Sequence, residues 1–186
     1  MKNLKKKYSI KVPKSIKILY CDKKNLITFI GPLLTKSLNL EVKLLLVPTS
    51  NLIIVTQESV TGLKFNKELQ GTTVAKIKQI LIETTYMLSR KLNLVGVGYR
   101  AFPYEDLPTQ MYLKLGYSHL IYFKIPEGLN SKCLKFTKIF LSGNISYDLL
   151  TQTAAQIRNC KLPEPYKGKG ILYDQETITL KKGKKI

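Results

Sequence analysis

"GTTVAKIKQILIETTYMLSRKL", residues 71–92, is the stretch on which the fold turns. Within it Val74, Ile77, Leu81, Tyr86 and Leu88 recur at three-to-four spacing, the repeat of one helix face. Thr72 or Thr73 can cap its start with a hydroxyl, so a helix is expected over residues 73–91. Upstream the pattern is different. "SIKILY" (15–20), "NLITFIG" (25–31), "LEVKLLLVP" (40–48) and "NLIIVTQ" (51–57) are short β-rich runs broken by turn residues and by Pro48. Downstream the plan repeats. Strands are expected over 92–101, 110–117, 119–126 and 133–143. A helix follows over 144–160, with Ser146 as its cap. "NLIIVTQ…GTTVAKIKQILIE" and "TKIFLSG…YDLLTQTAAQIRN" have one order: a β-run, a polar break, a helix. This reads as an internal duplication of the α+β class, two similar small domains, each an antiparallel sheet packed with one main helix. The expected domains are 1–91 and 92–186, the second ending in a basic C-terminal tail with a short strand at 176–180.

Charge narrows the function. The 186 residues carry 31 Lys+Arg against 12 Asp+Glu, a formal net charge of +19. A field of that sign draws polyanions, nucleic acid first and anionic membrane second. Arg90, Arg100 and Arg158 are the only arginines; the other cations are lysines. Lysine acts on phosphate as a point charge, whereas arginine reads base edges with a planar fork, so the mix favours backbone electrostatics over base readout. A coding genome poor in G and C gives the same Lys, Asn, Ile and Tyr bias. No apolar run reaches the ~18–20 residues of a membrane span. The basic start, "MKNLKKKYSIKVPKSIKI", lacks the apolar stretch of a signal peptide.

Catalytic constellations are missing. The cysteines, Cys21, Cys133 and Cys160, form no CxxC pair, and His119 has no second histidine with which to share a metal. Glu105 and Asp106 are adjacent and read as a solvated turn. "GVGYRA" (96–101) opens like a dinucleotide fingerprint but reads as strand, and "GKG" (168–170) lacks the spacing of a phosphate-binding P-loop. No enzyme, cofactor, metal or small-molecule substrate is expected.

Binding chemistry remains, concentrated in "PEPYKGKG" (163–170). Pro163 and Pro165 fix φ and hold the segment extended. Gly168 and Gly170 let the backbone approach a phosphate and offer N–H donors. Lys167 and Lys169 bring charge, and Tyr166 can stack on a base or bond phosphate. A flexible solvated loop is the competing reading. Lys161 before it, and Lys181, Lys182, Lys184 and Lys185 after it, favour binding. Tyr117 and His119 sit at a strand boundary, where core or surface filler competes with contact. Arg100 can pair with a carboxylate or reach phosphate.

"LVGVGYRA" (94–101), "LKLGYSH" with "IPEGL" (113–129) and "RNCKLPEPYKGKGILYDQE" (158–176) resemble, in order and spacing, the universal large-subunit ribosomal protein L-six family of bacterial and organellar type. The likeness is strong from residue 71 to 185 and general before that. It implies two duplicated α+β domains and no catalysis. It implies a structural constituent of the large subunit that supports translation, on rRNA near the sarcin–ricin loop and the base of the factor-binding stalk, with neighbouring ribosomal proteins as further partners. The RNA role carries onto Tyr166, Lys167, Gly168, Lys169 and Gly170. Two departures stand out: a long loop, "FPYEDLPTQ", and Leu172 where bacterial members usually have arginine, which implies one phosphate contact fewer. A non-ribosomal nucleic-acid-binding module is the alternative. Composition and the lack of an import signal favour a gene translated inside a mitochondrion, with a plastid or bacterial cytoplasm as alternatives.

Overall fold

The computed structural model describes residues 8–59, 67–103 and 109–183. The chain forms two compact units, Met1–Tyr86 and Met87–Ile186.

In the first unit β1 (Ser9–Lys11) precedes a meander of β2 (Lys17–Cys21), β3 (Leu26–Ile30) and β4 (Thr35–Asn39). The hairpin β5 (Val42–Val47) and β6 (Leu52–Ser59) follows, and then helix α1 (Lys67–Thr85). The sheets are ordered β2-β3-β4 and β1-β6-β5, antiparallel throughout. Ile27, Phe29, Ile53 and Ile77, each 0% exposed, anchor the core between strands and helix. Lys36 on β4 forms an ion pair with Glu83 on α1, whose side chain is 1% exposed.

The second unit repeats the order. It contains β7 (Leu88–Val95), a meander of β8 (Arg100–Pro103), β9 (Gln110–Lys114) and β10 (Ile121–Lys124), a hairpin of β11 (Leu129–Lys135) and β12 (Lys138–Gly143), and helix α2 (Tyr147–Asn159). Its sheets are β8-β9-β10 and β11-β12-β7-β13, where β13 is Gly170–Tyr173. Strand β7 pairs with β12 as β1 pairs with β6, so the pairing pattern of the first unit recurs in full. This is the α+β duplication read from the sequence. The difference is β13, which the chain adds after α2 on the free edge of β7.

Several boundaries differ from the sequence expectation. Helix α1 begins at Lys67 rather than residue 73, because Thr72 and Thr73 are inside it. Their hydroxyls donate back to the Leu69 carbonyl at 3.0 and 2.6 Å instead of capping. Gly71 is a helical residue, at a cost of about 1 kcal/mol relative to alanine. The helix stops at Thr85, and Leu88, Leu92 and Leu94 then alternate inward along β7. The stretch 96–99 is a turn, with Gly98 at φ +76°, and not the middle of a strand. The run 133–143 is a hairpin that reverses at Phe136–Thr137. Strand β4 was not expected, since "TKSLN" has a single apolar residue. Residues 176–180 form no strand. Glu105 and Asp106 lie outside the described residues. No helix among the described residues is long and apolar enough to cross a membrane.

Candidate nucleic-acid interface

Helix α2 points the chain at the basic loop. Ser146 caps it, its Oγ accepting from the Leu149 N–H at 3.4 Å, as its sequence position suggests. Leu150, Ala154 and Ile157 bury one face against the second core. At its end the turn tightens: the N–H of Lys161 donates to the Arg158 carbonyl at 3.2 Å.

The loop that follows is closed by its own backbone. The Ile171 N–H donates to the Lys161 carbonyl, that of Glu164 to Lys169, and that of Gly168 to Glu164, each at 2.9 Å. The tail crosses back, with the Lys181 N–H on the Pro165 carbonyl at 2.9 Å. Pro165, Tyr166 and Lys167 therefore form a turn, in place of the extended segment expected from the prolines. Pro165 presets φ for the turn, and Gly168 takes φ +69°, where an L-residue is strained. The role of the glycines changes accordingly. The Gly168 N–H is spent inside the loop, so it is not the phosphate donor that its sequence suggested. A Cβ on Gly170 would stand 2.5 Å from the Pro163 Cα, so that glycine permits backbone packing within the loop.

Side chains carry the outward chemistry. Tyr166 is 53% exposed. Lys167, Lys181 and Lys182 are exposed, and Lys161 and Lys169 half-buried. The ion pairs among the described residues are Lys36–Glu83, Lys43–Glu58 and Arg158–Glu176, which leaves these five lysines without a carboxylate partner. Leu172 is in β13 at 9% exposure, so at this position the chain gains packing.

Two supports were not visible in the sequence. Arg158 at the end of α2 grips Glu176 with two hydrogen bonds, Nε to Oε2 at 2.9 Å and Nη2 to Oε1 at 2.5 Å. Its guanidinium lies 5.6 Å from the centre of the Tyr173 ring. The hydrogen bond from Arg158 holds the Glu176 carboxyl below its ordinary range, and that from Glu176 raises Arg158. The second support is a stack. Tyr117 and His119 lie face to face at 5.7 Å, Lys161 Nζ sits 4.1 Å from the Tyr117 ring centre, and the Tyr117 hydroxyl donates to the Cys160 carbonyl at 3.2 Å. His119 and Lys161, expected separately, are thus joined through Tyr117. Burial pushes the Cys160 thiol up.

Arg100 belongs to a different group, its guanidinium 5.9 Å from the centre of the Phe136 ring. Lys184 and Lys185 lie outside the described residues. No group of His, Cys, Asp and Glu able to hold a metal ion occurs among the described residues.

Residues 95–174 match the family model described as ribosomal protein L6. Over 178 residues the chain is 38% identical to the large ribosomal subunit protein uL6 of Geotalea daltonii, covering 96% of this chain and 95% of that protein. It is 48% identical over 122 residues to the uL6 of Mycoplasma pneumoniae, 66% of this chain and 64% of that protein. The uL6 of Chlorobium limicola is 42% identical over 131 residues, 70% of this chain and 71% of that protein. These relatives are bacterial and lend the mitochondrial expectation no support.

Proposed function

The chain belongs to the ribosomal protein L6 family, and on that premise we propose that it is a non-enzymatic structural constituent of the large ribosomal subunit. Its partners are large-subunit rRNA and neighbouring ribosomal proteins. We infer further that the 161–170 loop and the tail beside it bind rRNA near the sarcin–ricin loop and the stalk base. We place the domain division just before β7, ahead of the 91/92 boundary expected from the sequence, with the RNA-binding loop in the second domain.

The observation that carries the rRNA reading is the loop itself: a backbone-closed turn whose lysines have no carboxylate partners among the described residues. A polyanion supplies the missing countercharge. Because the loop is already shaped, little conformational freedom is lost when it binds. Lys161, Lys167, Lys169, Lys181 and Lys182 neutralise phosphates and release counterions, Tyr166 offers a ring and a hydroxyl, and Gly168 and Gly170 fix the shape. Arg100, His119, Lys184 and Lys185 extend the cationic surface. Each phosphate neutralised adds about 0.7–0.9 to the salt slope of log affinity. Replacing Lys167 and Lys169 by alanine is expected to weaken binding to large-subunit rRNA and to flatten that slope by up to about 2. Filter binding across a salt series tests it, and an unchanged affinity and slope would remove the loop from the interface.

The bacterial origin of the relatives supports a bacterial cytoplasm as the compartment. The lysine-rich composition behind the mitochondrial reading is what any genome poor in G and C produces. Fractionation of the source cells with an antibody to the chain decides between the two.

A further inference from the structure

Three aromatic side chains cross the outer face of the β8-β9-β10 sheet in a single row, and we propose that this row is a platform on which unpaired RNA bases stack. Register and burial define it. Ala101, Met111 and Leu113 are 0% exposed and face the core. Strand alternation therefore turns Phe102 and Tyr112 outward. Phe102 is paired with Tyr112, and Tyr112 with Tyr122, so the three occupy one rung of the sheet. The rings of Phe102 and Tyr112 stack at 4.9 Å and 15°, and those of Tyr112 and Tyr122 meet at 6.5 Å and 45°. Phe136, from the β11–β12 turn, leans on Phe102 at 5.2 Å.

Phe102 and Tyr112 are half-buried, and the outer rings reach solvent. Tyr122 is 66% and Phe136 57% exposed, so these rings give little to the core. The surroundings point to the occupant. Arg100 and Lys114 are paired on the rung to one side of the row, and Lys124 stands on the rung to the other side. All three are exposed, and none has a carboxylate partner among the described residues. An aromatic row with cations on both flanks complements a single strand: bases on the rings, phosphates on the cations. Duplex RNA keeps its bases stacked on one another and offers the rings nothing. An apolar protein partner would leave the three flanking charges uncompensated. The site is separate from the 161–170 loop and does not depend on what that loop binds.

The test uses the full chain and fluorescence anisotropy with two labelled probes, a single-stranded oligouridine 12-mer and a blunt RNA hairpin with as many phosphates. The triple variant Phe102→Leu, Tyr112→Leu, Tyr122→Leu keeps apolar bulk and removes the π-faces. It is expected to lose about tenfold or more in affinity for the single strand and to bind the hairpin as the parent does. Tyr112→Phe with Tyr122→Phe keeps both affinities. Superimposable thermal melts exclude a folding defect. Replacing Lys167 and Lys169 by alanine lowers affinity for both probes, so failure of the loop and failure of the platform leave different signatures. Equal single-strand affinity of the leucine triple and the parent would overturn the proposal. So would an assembled particle in which amine crosslinks join Lys114 or Lys124 to a neighbouring protein while ultraviolet light adds no nucleotide to Tyr112 or Tyr122.

Discussion

Replacing Glu176 by glutamine should loosen the second unit by a calculable amount. Glu176 accepts two hydrogen bonds from Arg158 and a third, at 3.1 Å, from the Tyr173 N–H, so it ties the end of α2 to the chain just beyond β13. Glutamine keeps the shape but deletes the charge, and turns one acceptor into a donor that faces the guanidinium. Hydrogen bonds to a charged group are worth about 1.5–3 kcal/mol, and fully exposed ion pairs about 0–1 kcal/mol. Arg158 and Glu176 side chains are 24% and 23% exposed, between those cases. The expected loss is therefore about 1–2 kcal/mol. For a unit of this size that lowers its melting temperature by roughly 4–8 °C per kcal/mol.

The pH dependence makes the reasoning testable. Glu176 has a depressed pKa in the folded state, mainly through its hydrogen bond from Arg158. The group therefore stabilises the fold above the ordinary carboxyl range, and that contribution is lost as pH falls through its lowered folded value. Parent and variant should differ in melting temperature at pH 7, and the difference should shrink as pH falls below the ordinary carboxyl range. Hydrogen exchange at the Lys181 amide, which bonds the Pro165 carbonyl, should quicken in the variant if the tie also steadies the loop. A double-mutant cycle with Arg158→Met should return a coupling of about 1 kcal/mol. A melting difference that persists unchanged at pH 3, or a variant that melts with the parent at pH 7, would refute the argument.

Other expectations are direct. Gly170→Ala drives a Cβ to 2.5 Å from Pro163 Cα, a backbone atom that cannot rotate away, and should cost about 1–3 kcal/mol together with rRNA affinity. Gly183→Ala, with nothing within 4 Å, is the matched control and should be silent in both melts and binding. Lys36→Ala leaves the Glu83 carboxylate buried without its cation and should destabilise the first unit by about 3 kcal/mol in urea titrations. A loss smaller than about 1 kcal/mol would mean that the remaining neighbours satisfy Glu83.

The sequence displayed local features and hid distant ones. Alternation in "NLITFIG" and spacing in "VAKIKQIL" announced a strand and a helix, because burial of one face imposes a period that composition cannot disguise. The hairpin reversal at Phe136–Thr137 was hidden because an apolar ring sits where turn residues were sought. Helix α1 began early because the hydroxyls that looked like caps bond backward within a helix equally well. Lysine density pointed to the loop, but Arg158 and Glu176 are 18 residues apart and no periodicity links them. The aromatic row was spread over "AFP", "QMYLK" and "IYFK", and only the register of three strands places it on one rung.

The duplication explains where an interface could be added. Both units pair the first strand with the second strand of the hairpin, and in each the helix follows that hairpin. After the repeat ends, β7 still has an open edge, and an open edge is a template for another strand. β13 takes it, and to reach it the chain must leave α2 and reverse. The basic loop is that reversal. The N–H groups of Glu164, Gly168 and Ile171 donate to carbonyls of the loop itself, because a loop fastened to a sheet edge at one end and a helix at the other can close its own hydrogen bonds. Its glycines accordingly provide shape, and attraction for a polyanion falls to the lysines and Tyr166. A salt slope for this surface should therefore count lysines and not amides, so removing one lysine should lower the slope by about 0.7–0.9, whereas Gly168→Ala should weaken binding with the slope unchanged.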